Sequence, residues 1–184
     1  MLYKPPGYLS QFVNNQKRRK NKKLLGELYD FPEGTMSIGR LDEKSEGLLL
    51  LSTNGIISAQ VRSKKVEKEY YAEIDGLITD QAIEELKKGV DISVNKKTYT
   101  TLPCNAKKIE YDGRFDHEDS QIRDPRHGPK SWISITLTEG KYRQVRKMTA
   151  AVGFPTLRLV RVRVGKIELG ELEPGKVQEV SELI

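Results

Sequence analysis

The feature that most constrains the fold of this chain is a period-two alternation of apolar and polar side chains that recurs along the sequence. In one such segment Tyr70 and Ile74 share a face, while Tyr71 points to the opposite face. This spacing is typical of β-strands with one face buried against a core. It recurs in three segments, which are EKEYYAEIDG, SWISITLTEG and TLRLVRVRVG.

Helical patterns are fewer. TDQAIEELKKGV predicts a helix with Thr79 as its N-cap and Gly89 at its end. YRQVRKMTAAVG predicts a second helix, in which Arg143 and Arg146 form a stripe beside the apolar face. Strands therefore outnumber helices, and short turns join many of them. We predict an α+β fold, a mostly antiparallel or mixed β-sheet with flanking helices.

Composition narrows the class of protein. With 184 residues the chain suits one large domain or two small ones, and the interspersed charges, 32% of residues, indicate a folded protein. The single Cys104 excludes an internal disulfide, and two histidines are too few for a Cys/His zinc site. The sequence has no apolar run long enough for a membrane span, so we expect a cytoplasmic protein.

The charge balance raises the probability of a polyanionic partner. The formal net charge is +6, with clusters of cations at residues 14–23, 141–147 and 158–163. Such clusters release counterions when they neutralise phosphates, which favours nucleic-acid binding. An equally ordinary interpretation is a solvated surface, and charge alone leaves the two open.

An acid and a guanidinium stand beside an apolar strand. Arg40 and Asp42 precede the strand predicted at residues 48–51, and Gly39 indicates a bulge or the close approach of another backbone. An aspartate before Glu-Lys-Ser is ordinary turn chemistry. The residues alone therefore leave Asp42 open as either a turn residue or a functional carboxylate.

Four ordered segments, spanning about residues 2–165, resemble the motifs of the RsuA family of pseudouridine synthases. The details of two of them are most similar to the members that act on large-subunit rRNA. The four segments are LYKPPG, GRLDEKSEGLLLLSTNG, KEYYAEIDG and EGKYRQVRKMTAAVGFPTLRLVRVRVG.

The resemblance implies the pseudouridine synthase catalytic fold and an rRNA-modifying isomerase. The reaction breaks the N1–C1′ bond of a uridine, turns the base and joins C5 to C1′. The resemblance further implies no cofactor, no metal and a monomer. It also implies one catalytic domain over residues 1–184, without a separate N-terminal RNA-binding domain.

The resemblance assigns three residues to the chemistry. Asp42 matches the catalytic carboxylate, which either attacks the sugar or abstracts a sugar proton to give a glycal. Arg146 matches the partner that orients Asp42, the alternative being an exposed helix cation. Tyr70 matches the tyrosine that stacks on the uracil and assists proton removal from C5, the alternative being core packing.

Further residues are implied in substrate binding. Arg40 matches the arginine that takes the place of the extruded base, and Leu159 matches an apolar wall of the uracil pocket. Candidates for phosphate contacts are Lys4, Arg143, Arg161 and Arg163. The competing interpretation of the whole chain is a non-catalytic RNA-binding or ribosome-assembly factor with the same fold.

Overall fold

The computed structural model describes residues 1–13, 21–63, 66–118 and 125–181. The chain divides into two compact units, Met1–Val66 with Val160–Ile184, and Glu67–Leu159. Most of the predicted cationic segment at residues 14–23 lies outside the described residues. The expectation of a single catalytic domain over residues 1–184 stays a prediction.

The first unit is built around one long apolar strand. Strands β1 and β2 pair antiparallel with β3, which pairs in parallel with β9. Leu2, Leu25 and Leu49 form its buried core. The elements are β1 (Leu2–Lys4), a 3₁₀ helix (Leu25–Glu27), β2 (Met36–Ile38), β3 (Glu46–Ser52), α1 (Gly55–Ser63) and β10 (Ile167–Glu168), together with the end of β9 (Thr156–Val164).

Strand β1 is paired along both of its edges. Its Leu2 and Lys4 lie opposite Leu49 and Gly47 of β3. On the other side, the Tyr3 N–H donates to the Lys176 carbonyl oxygen over 3.0 Å, and the C-terminal segment continues past it. The two ends of the described chain therefore run side by side in this unit.

The second unit contains an antiparallel sheet with helices packed on one face. Strand β4 pairs with β8 along its whole length, and β8 pairs with β7. A separate hairpin consists of β5 and β6. The elements are β4 (Lys68–Asp75), α2 (Asp80–Lys88), β5 (Asp91–Val94), β6 (Lys97–Thr100), β7 (Asn105–Ile109), a 3₁₀ helix (Pro125–His127), β8 (Lys130–Leu137) and α3 (Gln144–Ala151), together with the start of β9.

These elements confirm the predicted α+β class with a mixed sheet. Helix α2 has the predicted cap, since the Thr79 hydroxyl accepts a hydrogen bond from the Ala82 N–H over 3.1 Å. Its residues Ile83 and Leu86 pack against Ile74 and Ile133 of the sheet. The period-two pattern placed Ile74, Ile133 and Ile135 in the core correctly. The opposite face was predicted to be polar and open, but Glu73, Trp132 and Ser134 on that face are buried as well.

One prediction of local structure was wrong, and one of the two alternatives for Gly39 is excluded. Helix α3 begins at Gln144, and Arg143 stands before it with a left-handed backbone (φ +53°), so Arg143 does not share a helical stripe with Arg146. Gly39 has positive φ, but a side chain there would meet open space. The close approach of another backbone occurs instead at Gly47, where a Cβ would lie 2.7 Å from the Arg161 nitrogen.

The polar loop after β7 is partly buried, although its many turn residues and lack of periodicity are typical of an exposed loop. Phe115 is buried, and Tyr111 stacks on Trp132 with ring centroids 3.9 Å apart. Arg158, itself buried, donates to the Phe115 carbonyl oxygen and pairs with Asp116. A buried guanidinium on β9 therefore holds this loop against the sheet, and residues 119–124 of the loop lie outside the described part.

Candidate active site

Asp42 lies on the loop between β2 and β3, in the first unit. The loop ends in a turn, in which the Ser45 N–H donates to the Asp42 carbonyl oxygen over 3.0 Å. The Asp42 side chain is half-buried, whereas Arg40 is exposed. The turn chemistry expected from the sequence is therefore present, and it leaves the carboxylate partly accessible.

Ser10 holds the residue before Asp42. Its hydroxyl donates to the Leu41 carbonyl oxygen over 2.8 Å and accepts from the Leu41 N–H over 2.9 Å. Both side chains are buried, and the Ser37 hydroxyl in turn donates to the Ser10 carbonyl oxygen over 2.9 Å. Because one hydroxyl satisfies both backbone groups of Leu41, the loop is fixed immediately before the carboxylate.

The N-terminal segment also holds the residue after Asp42. The Gly7 N–H donates to the Glu43 carbonyl oxygen over 2.7 Å. The Lys4 ammonium lies beneath this segment and donates to the carbonyl oxygens of Pro5 (2.8 Å), Tyr8 (2.9 Å) and Glu43 (3.4 Å). The loop around Asp42 is therefore anchored on both sides by residues 4–10, which gives the KPPG segment a structural purpose.

Lys4 is fully buried, and its surroundings change its acidity. Burial lowers the pKa of Lys4 from 10.5 to about 7, against the opposing charges of Glu46, Glu43 and Asp42. The ammonium directs its three donors at carbonyl oxygens. The expected phosphate contact by Lys4 is therefore corrected, because a buried ammonium with its donors engaged supports the loop instead.

Arg161 is likewise an internal residue. It is 5% exposed, and its Nε donates to the Leu48 carbonyl oxygen over 2.8 Å. This contact lies beside Gly47, whose backbone is paired with that of Arg161. The expected phosphate contact by Arg161 is therefore corrected, because its guanidinium is buried and bonded to the main chain. Arg163 is half-buried and donates to the Gly165 carbonyl oxygen over 2.8 Å.

The second unit contains Tyr70 and Leu159. Tyr70 is partly buried and packs against the cluster that includes Ala72 and Leu159. Tyr71 points to the other face, where its ring contacts Phe115 at a centroid distance of 6.1 Å. Tyr70 and Leu159 thus belong to one apolar environment, which suits both core packing and a wall for a planar base.

Arg146 and Arg143 have different surroundings in the second unit. Arg146 is half-buried on α3, and its Nη1 donates to the Thr156 carbonyl oxygen over 3.2 Å. Arg143 is exposed at the N-cap position. Arg146 is therefore not the fully exposed helix cation that was the alternative interpretation, while Arg143 remains accessible to a ligand.

The described residues contain neither a candidate metal centre nor a membrane span. No group of three or more His, Cys, Asp or Glu side chains in this part of the chain is arranged to hold a metal ion. None of its helices has the length and apolar character needed to cross a bilayer.

Comparisons with known proteins identify the family. The family model described as RNA pseudouridylate synthase matches residues 1–151. The chain belongs to this family. The resemblance found in the four ordered motifs is thereby confirmed, and the chain is a member of the RNA pseudouridine synthases.

Relatives of this family cover nearly the whole chain. A protein of Vibrio parahaemolyticus named ribosomal large subunit pseudouridine synthase E is 38% identical over 96% of this chain and 71% of the relative. One of the same name from Xanthomonas campestris is 36% identical over 96% of this chain and 91% of the relative. A crystal structure of a pseudouridylate synthase has a TM-score of 0.73 and 25% identity, covering 95% of this chain and 66% of that one.

Sequence reasoning missed several residues that shape the site of this family member. No structural role was predicted for Ser10 or Gly47, although Gly47 lies within the second motif segment, because serine and glycine are common in turns. Their roles depend on contacts with Leu41 and Arg161, which are distant in sequence. The sequence offered one signal for the support of this loop. Pro5 and Pro6 cannot donate to a strand ladder, so the strand that contains Lys4 must end there.

Removing the Ser10 hydroxyl should destabilise the first unit. In a Ser10→Ala variant the Leu41 N–H and carbonyl stay buried without their partner. Each unpaired group should lower the free energy of unfolding by about 1–3 kcal/mol. Urea unfolding followed by circular dichroism measures the loss. Thr35→Ala is the matched control, because it removes an exposed hydroxyl bonded to the Pro32 carbonyl oxygen. Equal losses in the two variants would contradict the proposed anchoring.

The acidity of Lys4 should make stability pH-dependent. Between its folded pKa of about 7 and its ordinary 10.5, the unfolded chain binds a proton that the folded chain does not. The free energy of unfolding therefore rises with pH across this window, by at most about 1.4 kcal/mol per pH unit for one proton. Below about pH 7 the cost of the buried charge is present in full.

A Lys4→Met variant should lack this rise. The test is urea unfolding of both proteins at pH 7, 8 and 9, with the difference in unfolding free energy plotted against pH. Titrations common to both proteins cancel in that difference. A difference that stays flat would show that the ammonium remains charged throughout.

Proposed function

We propose that this protein isomerises a specific uridine of large-subunit rRNA to pseudouridine. The observation that carries the proposal is its similarity to proteins named ribosomal large subunit pseudouridine synthase E, over 96% of its own length. Membership of the family supplies the reaction class, and the relatives' name supplies the RNA class.

In this proposal Asp42 is the carboxylate that acts on the ribose. The anchoring of Leu41 by Ser10 and of Glu43 by Gly7 and Lys4 supports the assignment, because a reacting group gains from a position fixed before substrate arrives. The half-buried side chain suits a group that must meet a ligand.

Tyr70 and Arg146 have roles in the same reaction in this proposal. Tyr70 lies against an apolar cluster, so its ring offers a face to the detached uracil and its hydroxyl a route for the C5 proton. Leu159 contributes to the apolar wall. Arg146 supplies a guanidinium that the Thr156 carbonyl oxygen orients.

RNA contacts are assigned to exposed cations. Arg40 is exposed next to the Asp42 loop, as an arginine that replaces an extruded base must be. Arg143 is exposed before α3 and suits a phosphate contact. Residues 14–23 remain a predicted RNA-binding segment. The proposed reaction uses no cofactor. We propose that the protein acts as a monomer in the cytoplasm, and light scattering on the purified protein tests whether it is a monomer.

The decisive experiment measures tritium release. Large-subunit rRNA transcribed in vitro with C5-tritiated uridine lacks modification, and conversion of one uridine releases one tritium per molecule of RNA. Mapping the pseudouridine then gives the target nucleotide. If both the free RNA and unmodified subunits are bound without release of tritium, the chain is a non-catalytic RNA-binding factor and the proposed function fails.

A further inference from the structure

The segment before α3 is fixed onto the β5–β6 hairpin by Glu139. Its carboxylate accepts hydrogen bonds from the Tyr99 hydroxyl (2.5 Å), the Leu102 N–H (2.9 Å) and the Gln144 amide (2.5 Å). Although burial opposes it, these hydrogen bonds keep the pKa of Glu139 below its ordinary value. Gln144, which is buried, also accepts the Lys141 N–H over 2.8 Å. The position of residues 139–143 on the hairpin is therefore well defined.

Tyr142 projects from this fixed segment into solvent. The residue is 70% exposed, although hydrogen bonds of Glu139 and Gln144 hold the segment on either side of it. The Lys147 ammonium lies over its ring, 5.3 Å from the centroid, and donates to the Ser93 carbonyl oxygen of β5 over 2.6 Å. The ring is thus an accessible aromatic surface with a positive charge held beside it.

The segment before α3 and the β5–β6 hairpin carry further cations. Lys141 lies over the Tyr99 ring at 4.6 Å, and Arg143 follows Tyr142 directly. The hairpin turn adds two exposed lysines. We call the set the Tyr142 patch, and its members are Lys96, Lys97, Lys141, Tyr142, Arg143 and Lys147.

Little negative charge opposes these cations on the elements that carry them. The Glu139 carboxylate is engaged by Tyr99, Leu102 and Gln144. Asp91, the acid of the β5–β6 hairpin, lies at the end away from the turn and accepts a hydrogen bond from the Thr100 hydroxyl over 2.5 Å. The patch therefore combines a net positive charge with one accessible aromatic ring.

We propose that the Tyr142 patch is a nucleotide-binding subsite, in which the Tyr142 ring stacks on an unpaired base of the RNA outside the reacting uridine. Bases stack on exposed aromatic rings whatever their sequence, and neighbouring cations bind the phosphates on either side. The inference rests on the proposed function for the identity of the ligand as RNA. It adds a stacking site to the cationic cluster predicted at residues 141–147, in which only Arg143 was a candidate for a phosphate contact.

Substitution of the ring separates stacking from charge. Tyr142→Ala should weaken the affinity for unmodified large-subunit rRNA by about 5- to 150-fold, the range for one stacked base. Tyr142→Phe should bind like the unmutated protein, because the ring is retained. A plot of log affinity against log salt concentration should keep its slope in Tyr142→Ala. In Lys141→Ala the magnitude of that slope should fall by about 0.7, the value for one phosphate contact on a single strand. Tyr29→Ala is the matched control, since Tyr29 is a 52% exposed tyrosine of the other unit.

A Tyr142→Trp variant reports stacking directly. The chain has a single tryptophan, Trp132, which is buried, so a tryptophan at position 142 adds a distinct exposed signal. RNA binding should quench that added fluorescence. Unchanged affinity in Tyr142→Ala, equal losses in the Ala and Phe variants, or no quenching would each overturn the subsite.

Tritium release separates this inference from the proposed function. If the unmutated protein releases tritium and Tyr142→Ala binds RNA normally, the subsite is wrong and the isomerase stands. If Tyr142→Ala loses affinity while the unmutated protein releases nothing, the subsite stands on an RNA-binding protein. Both readouts use the full chain and the same rRNA transcript.

Discussion

Replacing Asp42 by asparagine should lower pseudouridine formation by about 10⁴-fold or more, as expected when a group that acts covalently or as a base on the substrate is lost. The amide keeps the shape of the side chain and the turn in which the Asp42 carbonyl oxygen accepts the Ser45 N–H. RNA affinity should therefore persist, because the substitution removes a negative charge and no RNA-binding cation.

Tritium release from rRNA and a filter-binding measurement of affinity together test this result. Asp30→Asn is the matched control, since it removes an exposed carboxylate from the same unit. Asp42→Glu sharpens the test. Because Leu41 and Glu43 are both anchored, the longer side chain displaces the carboxylate by about 1 Å and should cost about 100-fold in rate. Normal release by Asp42→Asn would remove Asp42 from the mechanism.

Substituting Gly47 by alanine should produce the largest loss of stability. Its φ of +101° disfavours any side chain, and a Cβ there would lie 2.7 Å from the Arg161 nitrogen and closer to the Arg161 carbonyl oxygen. Both obstacles are backbone atoms of a paired strand, so neither can rotate away. We expect a loss of about 3–5 kcal/mol, a large share of a typical unfolding free energy of about 5–15 kcal/mol.

Thermal unfolding measures this loss, with Gly39→Ala as the control. Gly39 also has positive φ, but a Cβ there meets open space, so only the backbone cost of about 1–2 kcal/mol applies. A difference of about 1–4 kcal/mol between the variants corresponds to roughly 2–16 °C in Tm. Equal Tm values would show that strands β3 and β9 move apart easily and that the close contact at Gly47 is unimportant.

Local patterns predicted the elements whose formation depends on neighbouring residues. The alternation in β4 and β8 gave the residues that face the core but not the burial of the opposite face, and Thr79 and Gly89 gave the ends of α2. The start of α3 was placed too early, because Arg143 adopts a left-handed backbone in a segment whose Glu139 and Gln144 make tertiary and local hydrogen bonds. Helical spacing contains no information about such a contact.

Buried charges were the main failure of sequence reasoning. Lys4, Arg158 and Arg161 were expected at the surface or went unremarked, yet each is buried against carbonyl oxygens. A charged side chain is buried only where the fold supplies partners, and those of Arg158 and Arg161 are distant in sequence. Composition therefore overestimated the cations that are available to RNA.

For the candidate site, the sequence predicted the residues but not their support. Asp42 stood out only through its resemblance to a motif, since its own neighbours indicate a turn. Ser10, which fixes the loop, lies 31 residues away from Leu41 and carries no pattern. Such support depends on tertiary contacts, and the fold had to be known before it could be found.

The double pairing of β1 links solubility to the candidate site. The Tyr3 and Met1 backbones bond to residues 175–178, which cover the edge of the strand opposite β3. An uncovered strand edge is a template for pairing with other chains and hence for aggregation. The same short strand ends in Lys4, whose ammonium holds the Asp42 loop through the Glu43 carbonyl oxygen. A truncation or fusion that displaces the C-terminal segment would therefore promote aggregation through β1 and would also disturb the geometry of the Asp42 loop.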